Sequence, residues 1–301
     1  MNSMQCFDYI IAGLRLRSTI DIVEMGIKGF KPFEHPYNSC IDAECSLLYD
    51  STLTTSTHAA LKAIYRTVFA QTNSTCTLYK CNNGYLLSLS RTCDNEREPI
   101  LFHIALPQHT ITTNAHDNDI ESISIVRFGL WVMFGIVLCS HQGIAIHSSA
   151  IVASERGVLF LGESGTGKST HTRLWREHIE GSTLLNDDSP IVRIVDGKAR
   201  VFGSPWSGKT PCYKSQDYPI AGFCRLYQAP YNKISRLPTI AAIGALLPSC
   251  PPAFAHDEVL QDAICSTLDT VLRTTPAYRL GCLPDRDAAL LSYSTIIYNA
   301  E

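Results

Sequence analysis

Apolar positions recur along this chain with two different periods. Within residues 57–71, Leu61, Ile64, Tyr65, Val68 and Phe69 follow the i, i+3, i+4, i+7, i+8 spacing of one helical face, so a helix is expected there. Residues 77–90 read as a hairpin. Leu78 and Tyr79 precede the turn, Asn83-Gly84 supplies positive φ, and Tyr85 to Leu89 return. Residues 101–106 add a short strand. Residues 120–138 are expected to form a long apolar helix. Its densest part, residues 128–138, is followed by Cys139-Ser140-His141-Gln142. A spanning helix needs about 20 apolar residues, so this one is expected to be buried in protein, with no membrane partner.

Beyond it, residues 143–153 alternate and β-branch as a strand does, Arg156-Gly157 makes a turn, and Val158-Leu159-Phe160-Leu161 reads as a short buried strand. A helix is expected over 169–179 and a strand over 183–185. A second hairpin is expected from 191–195 and 199–202 about Asp196-Gly197. Residues 203–238 look loop-like, with one strand near 223–227. Helices are expected over 240–247 and 257–273, and a strand over 278–282. Asp285 is placed to N-cap a last helix running to about Tyr298. The fold class expected is α/β with mixed sheets. A smaller α+β region, residues 1–115, precedes a larger region, residues 116–301.

Composition narrows the function classes. The chain has 301 residues, 45% apolar and 18% charged, which is globular and leaves room for a substantial core. The formal charge of −3 offers no basic excess for nucleic acid or an anionic membrane surface. The first residues lack the basic and apolar segments of an export signal, so a cytoplasmic location is expected. Twelve cysteines are scattered without a Cys-x-x-Cys pair and are expected to be reduced and packed as small apolar residues. Self-association as a homo-oligomer is compatible with all of this. Residues 1–115 contain no recognisable chemical motif.

The chemistry concentrates later. Gly162-Glu163-Ser164-Gly165-Thr166-Gly167-Lys168-Ser169 fits G-x-x-x-x-G-K-[ST], the phosphate-binding P-loop, at each fixed position, and Thr170 follows. Glycines let backbone N–H groups turn toward phosphate oxygens, and the helix beginning at Lys168 adds its positive end. Lys168 is a point charge for the β- and γ-phosphates, and the Ser169 hydroxyl suits Mg²⁺. A strand before and a helix after are the context this loop requires. Leu184-Leu185-Asn186-Asp187-Asp188 ends the next apolar strand. Carboxylates at a strand end beside phosphates suit metal binding and general-base work, which Asp187 and Asp188 could divide. His147, on the strand ahead of Arg156-Gly157, is a third candidate.

These residues resemble the catalytic domain of bacterial HPr kinase/phosphorylase and its kin, a family similar in fold to phosphoenolpyruvate carboxykinases. The likeness runs from His147-Ser148-Ser149-Ala150 through the loop, residues 162–170, to Asn186-Asp187-Asp188. It implies a phosphoenolpyruvate carboxykinase-like P-loop kinase domain, with Asp187 or Asp188 activating a serine hydroxyl and His147 near the transferred phosphate. Where those enzymes carry a glutamate in a Leu-Glu-Ile-Arg-Gly-type segment, this chain has Arg200-Val201-Phe202-Gly203-Ser204-Pro205-Trp206-Ser207-Gly208-Lys209-Thr210. The acceptor is therefore left open as a protein, a peptide or a small molecule. In that segment Lys209 is a candidate for phosphate charge and Trp206 for stacking. Arg225, Lys233 and Arg236 are candidates for holding a phosphorylated product.

The expected function is a Mg²⁺-dependent kinase passing the γ-phosphate of ATP to a hydroxyl. The cofactor-binding set is Gly162, Glu163, Ser164, Gly165, Thr166, Gly167, Lys168, Ser169 and Thr170. Ser169, Asp187 and Asp188 are the metal set, and Asp187, Asp188, His147 and Lys168 the catalytic set. The alternatives are a carboxykinase-like lyase and a non-catalytic, ATP-gated regulatory module.

Overall fold

β-Branched and aromatic residues recur in several extended segments of the first half, notably Lys62–Phe69 and Thr110–Thr113, and these segments build a sheet. The structure is a computed structural model. It describes residues 5–38, 42–57, 61–69, 74–91, 98–115, 120–208 and 210–298. The chain forms two compact units, residues 1–137 with 253–258, and residues 138–252 with 259–301.

The first unit contains strands β1 (Phe7–Ile11), β2 (Leu14–Ser18), β3 (Glu34–His35), β4 (Cys45–Tyr49), β5 (Lys62–Phe69), β6 (Ser74–Cys81), β7 (Gly84–Arg91), β8 (Ile100–Ala105) and β9 (Thr110–Thr113). They make one nine-stranded mixed sheet in the order β3-β1-β2-β4-β9-β8-β7-β6-β5. The β6–β7 hairpin pairs Cys81 with Gly84 around Asn82-Asn83. Gly84 has φ +147°, and a Cβ there meets the Ile104 carbonyl of β8, so the position needs glycine twice over. Helix α1 (Ile120–Ser140) follows. Its Gly129 lets the ring of Phe102 on β8 lie against the helix backbone, and Phe128 meets Phe69 edge-on at 5.0 Å. By length and composition the stretch Ile123–Ser140 could cross a membrane, with mean hydropathy 2.0, and 61% of it is buried within the protein.

The segment expected as a helix over 57–71 is instead the edge strand β5 in its described part; residues 58–60 and 70–71 lie outside the described residues. Ile64, Tyr65, Thr67, Val68 and Phe69 are β-formers, and pairing with β6 outweighs a spacing that happened to match 3.6. A register shift between Ala63 and Tyr65 breaks the alternation that would have revealed the strand.

The second unit contains β10 (Gly143–Ala145), β11 (Ser148–Ala153), β12 (Arg156–Leu161), helix α2 (Lys168–His178), β13 (Thr183–Asp188), β14 (Ile191–Val195), β15 (Lys198–Phe202), β16 (Asp217–Gln228), β17 (Lys233–Arg236), α3 (Thr239–Leu246), α4 (Glu258–Thr274), β18 (Ala277–Cys282) and α5 (Arg286–Tyr293). Its mixed sheet runs β10-β14-β15-β16-β12-β11-β13, with β18 also on β16 and β17 on β18. The single strand expected over 143–153 breaks at Ile146-His147. Its first part pairs with β14 and its second with β12 and β13. The fold is thus mixed α/β with two large mixed sheets.

Strand directions in this unit place the site. β12, β16 and β18 are parallel neighbours. β11 is antiparallel to both β12 and β13, so β13 runs the same way as β12. The carboxyl ends of all four strands therefore lie along one edge, where ligands bind in open sheets of this kind. Beneath that edge α2 and α5 cover one face. Phe160, Leu174, Trp175, Cys224, Leu280, Ala289 and Ile296 form a common core. Each large apolar side chain fully buried there contributes about 1.5–3 kcal/mol.

Candidate active site

The loop begins where the fully buried end of β12 emerges. Gly162 has φ +149°, and a Cβ on it lies 2.5 Å from Thr166 Oγ1, so the loop folds tightly over this residue. Gly165 and Gly167 have φ +83° and +102°, a region that side chains disfavour. Thr166 closes the turn by donating its amide and hydroxyl to the Glu163 carbonyl, at 3.2 and 2.8 Å. Gly167 is the N-cap of α2 and has no side chain to cap it. The first amides of a helix have no partner within the helix, and together with the dipole they favour an anion. Lys168 Nζ donates to the carbonyls of Gly162 and Glu163, at 2.7 and 3.2 Å. Burial lowers the Lys168 pKa, opposed by the charges of Asp188, Asp187 and Glu163.

Two strands away, β13 delivers the acidic pair. Asp187 is 8% exposed. Its carboxylate accepts the Ser169 hydroxyl at 3.2–3.3 Å, so the first turn of α2 and the end of β13 meet. Asp188 has φ +116°, whereas the other non-glycine residues of positive φ lie between 50 and 56°. Such an outlier persists only where its surroundings hold it. Here Asp188 bridges to Ser207, and Gly208 packs so closely that a Cβ on it lies 3.0 Å from Asp188 Cβ. Gly208 N and Ser207 Oγ both donate to the Asp187 carbonyl, at 2.6 and 3.1 Å.

His147 occupies the bend between β10 and β11, not a strand, and is anchored by its amide to the Ser249 carbonyl at 2.7 Å. Its Nδ1 lies 3.2 Å from Asp188 Oδ1, with both side chains about half exposed. An open cavity of about 330 Å³ unites His147, Lys168, Ser169, Asp187, Asp188 and Gly208 with the loop. The expected catalytic and metal-binding residues are thus gathered in one cleft. Among the described residues no group of three or more His, Cys, Asp or Glu side chains is arranged to hold a metal on its own. Two carboxylates and a hydroxyl beside a glycine-rich loop and helix N-terminus have the chemistry for Mg²⁺, which is usually held by one or two carboxylates together with substrate phosphates.

Further contacts lie outside the sequence motifs. Asn186 is fully buried, and its Nδ2 donates to the Trp206 carbonyl at 2.9 Å while its Oδ1 accepts Ser189 N at 2.9 Å. This organises the segment that carries Ser207 and Gly208 to the acids. Trp206 is itself buried, 4% exposed, which corrects its expected stacking role. Lys209 lies outside the described residues. Arg225, paired with Leu161 across β16 and β12, donates to Glu163 Oε1 at 2.7 Å and to the Ala245 carbonyl at 2.9 Å. Lys233 and Arg236 lie on β17 and line neither this cavity nor a second one beside the loop. The only sequence signal for Asn186 was its place beside the two aspartates. The Arg225–Glu163 pair joins residues 62 apart and had no local signal.

No family model matches the chain, and no curated protein matches it. Among solved structures, the HPr(Ser) kinase/phosphatase from Coxiella burnetii is a distant likeness. It has 14% identity over 51% of this chain and 93% of that chain, with a TM-score of 0.28.

Proposed function

We propose that this protein is an ATP-dependent kinase that passes a γ-phosphate to a hydroxyl acceptor. The observation that supports this most is the meeting of Ser169 with Asp187 at 3.2–3.3 Å. It joins a phosphate-binding helix end to a pair of acids with a hydroxyl suited to Mg²⁺ between them. Phosphoryl transfer asks the protein mainly for position and charge. The loop amides and Lys168 hold the phosphates. Asp187, buried against Ser169, is the metal-side acid; with Ser169 it would hold Mg²⁺, which would supply neutralisation of phosphate charge. Asp188, aimed into the open cleft beside His147, takes the proton of the incoming hydroxyl. His147 orients that carboxylate and faces the transferred group.

The acceptor class follows from one experiment. Lysate of the source cell is incubated with γ-labelled ATP and either the wild-type chain or Lys168→Ala. Labelled species that depend on the wild-type chain and fall by about 10³ in rate with Lys168→Ala are expected. Undiminished labelling with Lys168→Ala overturns the proposal.

A further inference from the structure

The loop is flanked by two cavities of opposite character. The cleft just described contains Lys168, His147 and both aspartates. The second cavity, about 600 Å³, is bounded by residues 165–167, by Thr170, His171 and Leu174 of α2, and by residues 228–230 and 282–284. Among the described residues its lining includes no Asp, Glu, Lys or Arg. Burial, with the nearby Asp285 charge, raises the Cys282 thiol above its ordinary value. The walls are largely apolar, from Leu174, Ala229, Pro230, Leu283 and Pro284.

This cavity is built in advance. Asn232 Oδ1 accepts Leu283 N at 2.8 Å, and its Nδ2 donates to Asp285 Oδ1 at 2.9 Å. Ala229 N donates to the Cys282 carbonyl at 3.3 Å, so the segments after β16 and β18 are tied to each other. The Gln228 amide donates to the Gly165 carbonyl at 3.3 Å and closes the rim against the loop. The volume falls in the range of about 300–1,000 Å³ typical of small-molecule sites.

We propose that this second cavity seats the nucleoside half of the nucleotide, while the phosphates run along residues 165–170 to the acidic pair. The assignment rests on the kinase reading above. A nucleotide is charged at one end and flat and uncharged at the other. The two cavities share Gly165, Gly167 and Thr170, and their polarity matches that asymmetry. An acceptor placed in the second cavity faces no carboxylate, because both aspartates line the first. The base lies between the apolar walls, with the Gln228 amide and Thr170 hydroxyl within the same cavity for its polar edge and the ribose.

Cys282 gives a direct readout. The full chain is treated with N-ethylmaleimide, alone, with Mg-ATP or with Mg-tripolyphosphate, and labelling of each cysteine is followed by peptide mass spectrometry. Binding of both ligands is measured by calorimetry on the same samples. At ten times its Kd, ATP is expected to slow labelling of Cys282 about tenfold, and tripolyphosphate to leave it within about twofold. Ala229→Trp, which fills the cavity, is expected to weaken ATP about tenfold or more and tripolyphosphate less than about twofold. ATP binding without protection of Cys282, or equal protection by both ligands, overturns the nucleoside assignment and leaves the kinase reading standing. Calorimetry showing that neither ligand binds overturns the kinase reading, and this assignment with it.

Discussion

Both units are built on nine-stranded mixed sheets with parallel and antiparallel pairs, and they differ in what the ends of their parallel strands carry. In the first, β5 through β9 are each antiparallel to their neighbours, and β6 returns as β7 through a two-residue turn. Strand ends in that meander are used up in joining neighbours, and although β2, β4 and β9 are parallel there, their ends carry no glycine-rich loop or acidic pair. In the second, β12, β16 and β18 are parallel and β13 points the same way. Parallel neighbours need long crossovers, so their carboxyl ends are free to carry the loop, the acidic pair and the rim of the second cavity. The first unit also contains a buried charge cluster, but it is tied up internally. Asp8, with its side chain fully buried, is held by Arg15 at 2.9 Å and Arg17 at 3.0 Å. Asp188, by contrast, is about half exposed and faces a cleft. On the proposed function, what would separate a structural carboxylate such as Asp8 from a chemical one such as Asp188 is access to a ligand together with a backbone that fixes its direction.

The sharpest way to break this contrast is to remove one carboxylate charge at a time. Asp188→Asn is expected to cut transfer by about 10²–10⁴ while ATP still binds. Asp187→Asn is expected to raise the Mg²⁺ concentration needed for half-maximal rate as well as to slow turnover. Initial rates over a Mg²⁺ series separate the two effects. If both variants keep wild-type turnover, the acids are structural and the contrast fails.

The next test moves to the first sheet. Arg15→Ala strips Asp8 of its more buried partner, and breaking a buried pair costs about 3–5 kcal/mol. Arg17 remains beside Asp8, so the expected loss is at the lower end, about 3 kcal/mol, read from urea unfolding. Turnover per folded molecule is expected to stay unchanged at a temperature where the variant is folded. A turnover defect without a stability defect gives the first sheet a part in the chemistry.

Local features were the most legible in the sequence. The β6–β7 hairpin, the strand–loop–helix from Val158 to His178 and the Asp285 cap, whose Oδ1 accepts Ala288 N at 2.9 Å, each rest on short-range backbone chemistry. The turn expected at Arg156-Gly157 lies instead at Ser154-Glu155, and Arg156 and Gly157 begin β12. Long-range choices were not legible. Whether Leu61 to Phe69 becomes a helix or an edge strand depends on β6 being there to pair with it. The break at Ile146-His147 exists because the chain leaves β14 for β12 and β13, partners that follow it in sequence. β16 is twelve residues long, yet Pro219 and Gly222 disguise its start as loop. The motif residues of the site could be named in advance. The Arg225 contact to Glu163 and the rim made by residues 228–230 and 282–284 come from strands brought together only by the sheet.

The smallest of these effects concerns how firmly the cradle is held from behind. One face of α2 presents Ser169 and Thr170 to the cleft, and the other is anchored in the core. His171 Nε2 lies 2.9 Å from Ser292 Oγ, which also accepts Trp175 Nε1 at 2.9 Å, and the His171 ring meets Phe160 edge-on at 4.6 Å. Burial holds the His171 pKa at about 4 against an unfolded value near 6.5. The folded state therefore favours neutral imidazole. Its contribution is fully present above about pH 6.5 and is lost as pH falls toward 4, at most on the order of 3 kcal/mol. His171→Gln keeps an amide facing Ser292 and removes the titration. Urea unfolding between pH 4 and 7 is expected to show a shallower acid loss for the variant than for the wild type, with the curves closest at the acid end. Parallel curves mean that α2 moves readily enough to admit water to His171. The cradle is then no more rigidly held than a surface loop, and strand direction alone does not account for the site.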